Sequence, residues 1–94
     1  MFNKLKQIQD LKSQASQIKK ALADESVEGS GAWGKVKVIM DGNQEVKKIE
    51  IADELLSDKL KLENAIIEAT NDAIKKVQKV MAQKMSQFGG FPGL

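Results

Sequence analysis

Lysine is the residue type whose number and placement carry chemistry in this chain. All fifteen basic residues are Lys and none is Arg. An ε-ammonium is a point charge with rotatable donors and no planar fork, so it suits phosphate oxygens better than bidentate reading of base edges. Two clusters stand out: Lys4, Lys6, Lys12, Lys19 and Lys20 towards the N-terminus, and Lys75, Lys76, Lys79 and Lys84 towards the C-terminus. Formal charge is +4 over residues 1–23, −6 over 24–72 and +4 over 73–94, for a net +2. Segregation on this scale says more about a partner than the net value does. Any one of these lysines taken singly reads as a solvated side chain. Together, in stretches almost free of acids, the nine read as candidate contacts to the phosphates of a duplex.

Other chemistry is thin. There is no cysteine and no histidine, which removes disulfides, thiolate metal sites and the usual base near neutral pH. No cofactor, metal or small-molecule substrate is expected, and no catalytic constellation is visible. The densest acids, Asp53, Glu54 and Asp58, read as helix-start chemistry. Gly29, Gly31 and Gly34 loosely resemble a phosphate loop, but such a loop follows a strand and opens a helix. Here the order is reversed, so they read as glycines of a turn and of the start of a strand. Trp33, the lone Trp, reads as a packing residue.

The elements that must position the lysines follow from periodicity. Residues 2–23 read as a helix with a narrow seam of Ile8, Leu11, Ala15, Ile18 and Leu22, a heptad pattern that meets one partner surface. Residues 24–31 form a turn leading into a poorly apolar edge strand. Residues 34–40 alternate, with Val36, Val38 and Met40 on one face. Asp41-Gly42-Asn43 marks a hairpin whose Gly supplies a positive φ. Residues 45–51 return, with Ile49 and Ile51 sharing a face and Val46 out of phase, so that it faces out or marks a bulge. Two or three short strands are expected. Residues 53–56 form a turn and Ser57 an N-cap. A second helix over 58–86 carries two adjacent apolar stripes, one of Leu62, Ile66, Ala69, Ala73, Val77 and Val80, the other of Leu60, Ile67, Ile74, Met81 and Met85. Lys75, Lys76 and Lys79 fall on its solvent arc. Residues 87–94, rich in Gly, read as a mobile tail.

Length then predicts association. A helix of ~29 residues is about 43 Å long, whereas a compact chain of this size is only ~30 Å across. The helix overhangs, and Val77, Val80, Met81 and Met85 need cover. With an open sheet edge as well, a two-fold homodimer is expected, in which Val36, Val38, Ile49, Ile51, Val77, Val80 and Met81 make core and dimer contacts. No apolar run approaches the ~20 residues that span a bilayer, so a soluble, cytoplasmic, membrane-free protein is expected.

Several segments in order resemble the YbaB/EbfC family of nucleoid-associated DNA-binding proteins. They are the run Gly31-Ala32-Trp33-Gly34-Lys35-Val36-Lys37-Val38 with Gly42 after it, then Val46-Lys47-Lys48-Ile49-Glu50-Ile51, then Glu54-Leu55-Leu56. Leu62-Glu63-Asn64-Ala65-Ile66 and Ala69-Thr70-Asn71-Asp72-Ala73 complete the set. Ala52 departs from a frequent Asp, Asn64 from a frequent acid, and Arg is absent. The resemblance implies one α+β domain over residues 1–94, ordered α–β–β–β–α with a three-stranded antiparallel sheet over 25–51. It implies a dimer joined through its sheets, with projecting helices that bind duplex DNA with little sequence preference. The setting it implies is the bacterial nucleoid, in chromosome organisation or expression regulation. The alternative is a protein–protein adaptor dimer whose amphipathic helices bind partner helices without touching DNA.

Overall fold

A computed structural model of the protein describes residues 2–87, with side chains from Leu11 on. The side chains of Lys4, Lys6, Ile8 and Asp10 and, of the tail expected over 87–94, residues 88–94 with Phe88 and Phe91 lie outside the described residues. The order is helix α1 (Phe2–Ala23), strands β1 (Ser26–Gly31), β2 (Val36–Asp41) and β3 (Val46–Ile51), a 3-10 turn (Asp53–Ser57) and helix α2 (Lys59–Gln87). The three strands form one antiparallel sheet in the order β1-β2-β3. This is the expected α+β arrangement. Gln87, expected in the tail, is instead the last helical residue.

The core lies between α2 and the first two strands. Val36, Val38 and Met40 of β2 point at Ala65, Ala69, Ala73 and Val77 of α2, and all seven are buried with Leu55. Val77 was expected to overhang; it is fully buried within the protomer. The alanines recur every four residues and form a low ridge along the helix. That ridge rests directly on β1, because a Cβ on Gly29 would collide with the Ala69 carbonyl and one on Gly31 with that of Ala65. These glycines, expected to serve a turn and a strand start, therefore set the distance between helix and sheet.

Of the two readings of Val46, outward-facing or bulged, the bulge is observed. The β2–β3 register slips between Ile39 and Met40, so that Ile39 pairs with Lys48 but Met40 pairs with Val46. The extra residue is Lys47, and the bulge returns Val46 to the face shared by Ile49 and Ile51. At the preceding hairpin the positive φ falls on Gln44, at 64°, rather than on Gly42. Gly42 is needed for space: an added Cβ would sit 2.6 Å from the Leu22 carbonyl oxygen. The N-cap of α2 is also one residue later than expected. Asp58 Oδ1 accepts from the Lys61 N–H at 3.1 Å, whereas Ser57 Oγ donates to the Glu54 carbonyl at 3.2 Å.

α1 is held at its C-terminal end. The Leu22 carbonyl accepts from Glu25 N at 3.1 Å and Gly42 N at 2.8 Å, and Asn43 Nδ2 donates to the Lys19 carbonyl at 3.0 Å. These donors satisfy carbonyls that a helix end leaves unpaired. Ile18 and Leu22 are buried there, but Leu11 is 48% exposed and Ala15 is exposed. The seam is thus covered only at its base. The chain measures 64 × 19 × 17 Å with a radius of gyration of 18.0 Å, against about 12 Å for a compact chain of this length. Among the described residues no helix is long and apolar enough to cross a membrane.

Candidate nucleic-acid interface

The lysines divide by what they touch. Six of the described ones are paired: Lys35 with Glu54 at 3.2 Å, Lys47 with Glu45 and Asp41 at 3.1 and 3.5 Å, Lys48 with Glu50 at 3.1 Å, Lys59 with Glu63 at 3.9 Å, Lys76 with Asp72 at 3.3 Å and Lys84 with Glu25 at 2.8 Å. Lys12, Lys19 and Lys20 on α1, Lys75 and Lys79 on α2, and Lys37 and Lys61 meet no carboxylate among the described residues. Five of these seven belong to the two basic clusters and are exposed.

Two lysines of the clusters are occupied by the fold itself. Lys76, expected on the solvent arc, reaches the sheet and donates to the Glu28 carbonyl of β1 at 2.7 Å. Beside it, Asp72 Oδ2 accepts from the Ser30 N–H at 3.0 Å. That backbone hydrogen bond, working against desolvation and helped by Lys76, holds the Asp72 carboxyl below its ordinary pKa. The pair caps the free edge of β1, which blunts it as a template for another strand. Lys84 is half-buried and ties the far part of α2 to Glu25, between α1 and β1.

Asp41 fixes the mount of α1. It is 3% exposed, and its Oδ1 accepts from Asn43 N at 2.8 Å and Glu45 N at 3.1 Å. Burial pushes its pKa up, but the Glu45 and Asn43 backbone bonds and Lys47 outweigh it and lower the pKa below the ordinary 3.8. The ionised carboxylate therefore contributes stability above about pH 4, and that contribution is lost as pH falls through the depressed folded value. Asp41→Asn is expected to cost about 1–2 kcal/mol at neutral pH. It should also flatten the loss of stability between about pH 5 and pH 2. Urea melts across that range check this; an unchanged acid limb contradicts it. A groove of about 320 Å³ beside this mount is lined by Lys19, Lys20 and Lys47 together with Asp41 and Glu45.

β3 is exposed along its whole length. Val46, Ile49 and Ile51 pair with Met40, Val38 and Val36, so they share the helix-side face. α2 covers only β1 and β2, and the three side chains remain 47%, 45% and 37% exposed. Val80 and Met81 are half-buried. Of the expected core and dimer residues, Val36, Val38 and Val77 are therefore protomer core, and Ile49 and Ile51 form an uncovered apolar strip.

Trp33 is not a packing residue. It projects fully into solvent at the β1–β2 turn, where Ala32 (φ 52°), Trp33 (φ 59°) and Gly34 (φ 85°) all take left-handed conformations. Gly34 N donates to the Gly31 carbonyl and Lys35 N to the Ala32 carbonyl, both at 3.2 Å. Two non-glycine residues with positive φ in one tight turn are uncommon. Sequence reasoning missed the site because aromatic side chains are on average well buried; the short spacing between Gly31 and Val36 was the available signal. Among the described residues no group of three His, Cys, Asp or Glu side chains converges to hold a metal ion.

Comparison with known proteins now bears on this arrangement. The model of the YbaB/EbfC DNA-binding family matches residues 1–91. A nucleoid-associated protein of Pelotomaculum thermopropionicum is 33% identical over 99 aligned positions, covering 100% of this chain and 94% of the relative. One of Hahella chejuensis is 36% identical over 87, covering 92% and 81%. In structure, the chain is similar to an uncharacterized protein of Helicobacter pylori solved by crystallography, with a TM-score of 0.69 and 26% identity over 81% of this chain and 90% of that one.

Proposed function

This chain belongs to the YbaB/EbfC DNA-binding family, an architectural rather than enzymatic family, and on that premise we propose that it acts at the nucleoid as a homodimer. The dimer grips duplex DNA through lysine–phosphate contacts with little sequence preference. The observation that carries this reading is the division of the lysines. Lys12, Lys19, Lys20, Lys75 and Lys79 meet no described carboxylate, whereas lysines of the acidic centre such as Lys35, Lys47, Lys48 and Lys59 are internally neutralised. Ammonium groups that meet no described carboxylate on two helices, doubled by a dimer, supply the field that releases counterions from a duplex. Lys4 and Lys6 extend the same basic stretch of sequence. Lys76 and Lys84 contribute mainly by holding α2 against β1 and Glu25.

Val46, Ile49 and Ile51 support the dimer. Three apolar side chains on one strand, left 37–47% exposed beside an unpaired sheet edge, fit cover by the same strip of a second copy. Mobility shifts on two unrelated duplexes test the DNA reading. At low salt both should shift at similar protein concentrations, because phosphate contacts carry no sequence information. No shift of either duplex at low salt overturns it.

A further inference from the structure

The pole around Trp33 has no part in DNA binding as proposed above. Its indole is 101% exposed and is the only one in the chain. It stands on a turn whose backbone L side chains disfavour, a combination that marks a contact residue. Beside it lies an open groove of about 510 Å³ lined by Lys35, Glu54, Asp58, Lys61 and Glu68 among others. Lys35 is neutralised by Glu54 at 3.2 Å, which leaves Asp58 and Glu68 against Lys61 alone. Leu56 and Leu60, 65% and 67% exposed, lie on the adjoining turn and the start of α2. The exposed indole and the one-carboxylate excess of the groove beside it disfavour phosphate and suit a cationic, amphipathic helix.

The chain carries such a helix. α1 presents Lys12 and Lys19 with exposed Leu11 and Ala15 on a stretch of charge +4, against −6 for residues 24–72. α1 is anchored beside Gly42, at the opposite end of β1 and β2 from the Trp33 turn. Five residue steps of strand, about 17 Å, separate the two ends, so a protomer's arm leads away from its own pole. We propose that the Trp33 pole of one copy receives the α1 arm of another, head to tail. A heterologous contact of this kind leaves a free pole and a free arm after each addition, so copies add into open chains or close into rings larger than the dimer. The proposal rests on neither the DNA contacts nor the β3 strip, and failure of either leaves it standing.

Trp33 reports on its own occupancy. Full-length Trp33→Gly suits the left-handed turn and carries α1 arms without an indole, so it serves as a dark titrant of dilute native protein. The emission of native Trp33 should shift saturably to the blue at low salt and return as salt rises. A titrant also carrying Lys12→Glu and Lys19→Glu should produce no shift. In sedimentation velocity, concentrated native protein should show species larger than the dimer that Trp33→Gly lacks, with the circular dichroism of the two proteins matching. Unchanged emission on titration overturns the proposal, as does persistence of the large species in Trp33→Gly. A blue shift given by duplex DNA but not by the titrant assigns the indole to DNA and also overturns it.

Discussion

Reversing four lysines together, Lys12, Lys19, Lys75 and Lys79 to Glu, is expected to weaken duplex binding by roughly two orders of magnitude or more. The circular dichroism spectrum, and the dimer mass in dilute solution, should stay unchanged. In the native protein none of the four meets a carboxylate among the described residues, so their replacement leaves no buried partner behind. A dimer would lose eight positive charges and gain eight negative ones, which removes the attraction and adds repulsion at the same sites. Lys48→Gln serves as the contrast. Lys48 is paired with Glu50 at 3.1 Å on the face of β3 opposite Ile49 and Ile51, and its loss should change DNA affinity little. Equal binding by the fourfold variant and the native protein would clear these residues of any role in DNA binding.

The largest effect on stability is expected at Gly29. A Val there drives its Cβ into the Ala69 carbonyl and against the backbone nitrogen and Cβ of Ala73. The obstruction is helix backbone, which no rotamer change relieves, so α2 must lift from β1 and open the Val36–Val38–Ala69–Ala73 core. Overpacking commonly costs 1–3 kcal/mol; here a loss of about 3 kcal/mol or more is expected, a large part of the margin of a small domain. Gly34→Ala is the control, since nothing lies within 4 Å of its added Cβ and only its φ of 85° resists the change. It should cost about 1–2 kcal/mol. Urea midpoints for the two variants, read against the native protein, decide the matter, and equal midpoints would contradict the close approach.

The outline of the fold was legible because periodicity writes it into local sequence. The seam through Leu11, Ile18 and Leu22 gave α1, the alternation of Val36, Val38 and Met40 gave β2, and the misplaced phase of Val46 left a bulge as one of two readings. Gly29, Gly31 and Gly42 were misread because a glycine is the same letter whether it serves a turn or a close approach, and only the packing of α2 and α1 separates the two. The lysines divided for a related reason. Lys75 and Lys76 are neighbours in sequence, but one residue of helix turns a side chain by about 100°. That rotation carries Lys76 to the Glu28 carbonyl and leaves Lys75 facing water. Lys84 finds Glu25 across a long separation in sequence, which no local pattern encodes. Trp33 was judged by the average behaviour of its residue type, and a four-residue connection left no depth in which to bury it.

The salt dependence of the native protein on a duplex tests the central claim most directly. Ten lysines of the two helices in a dimer meet no carboxylate among the described residues, and each phosphate contact contributes about −0.9 to the slope of log Kobs against log salt concentration. If about half of them engage at once, the slope is about −4 to −5, and it should be the same for unrelated sequences. A slope near −1 or shallower, or a strong dependence on sequence at constant salt, would contradict a grip made by lysines on phosphates.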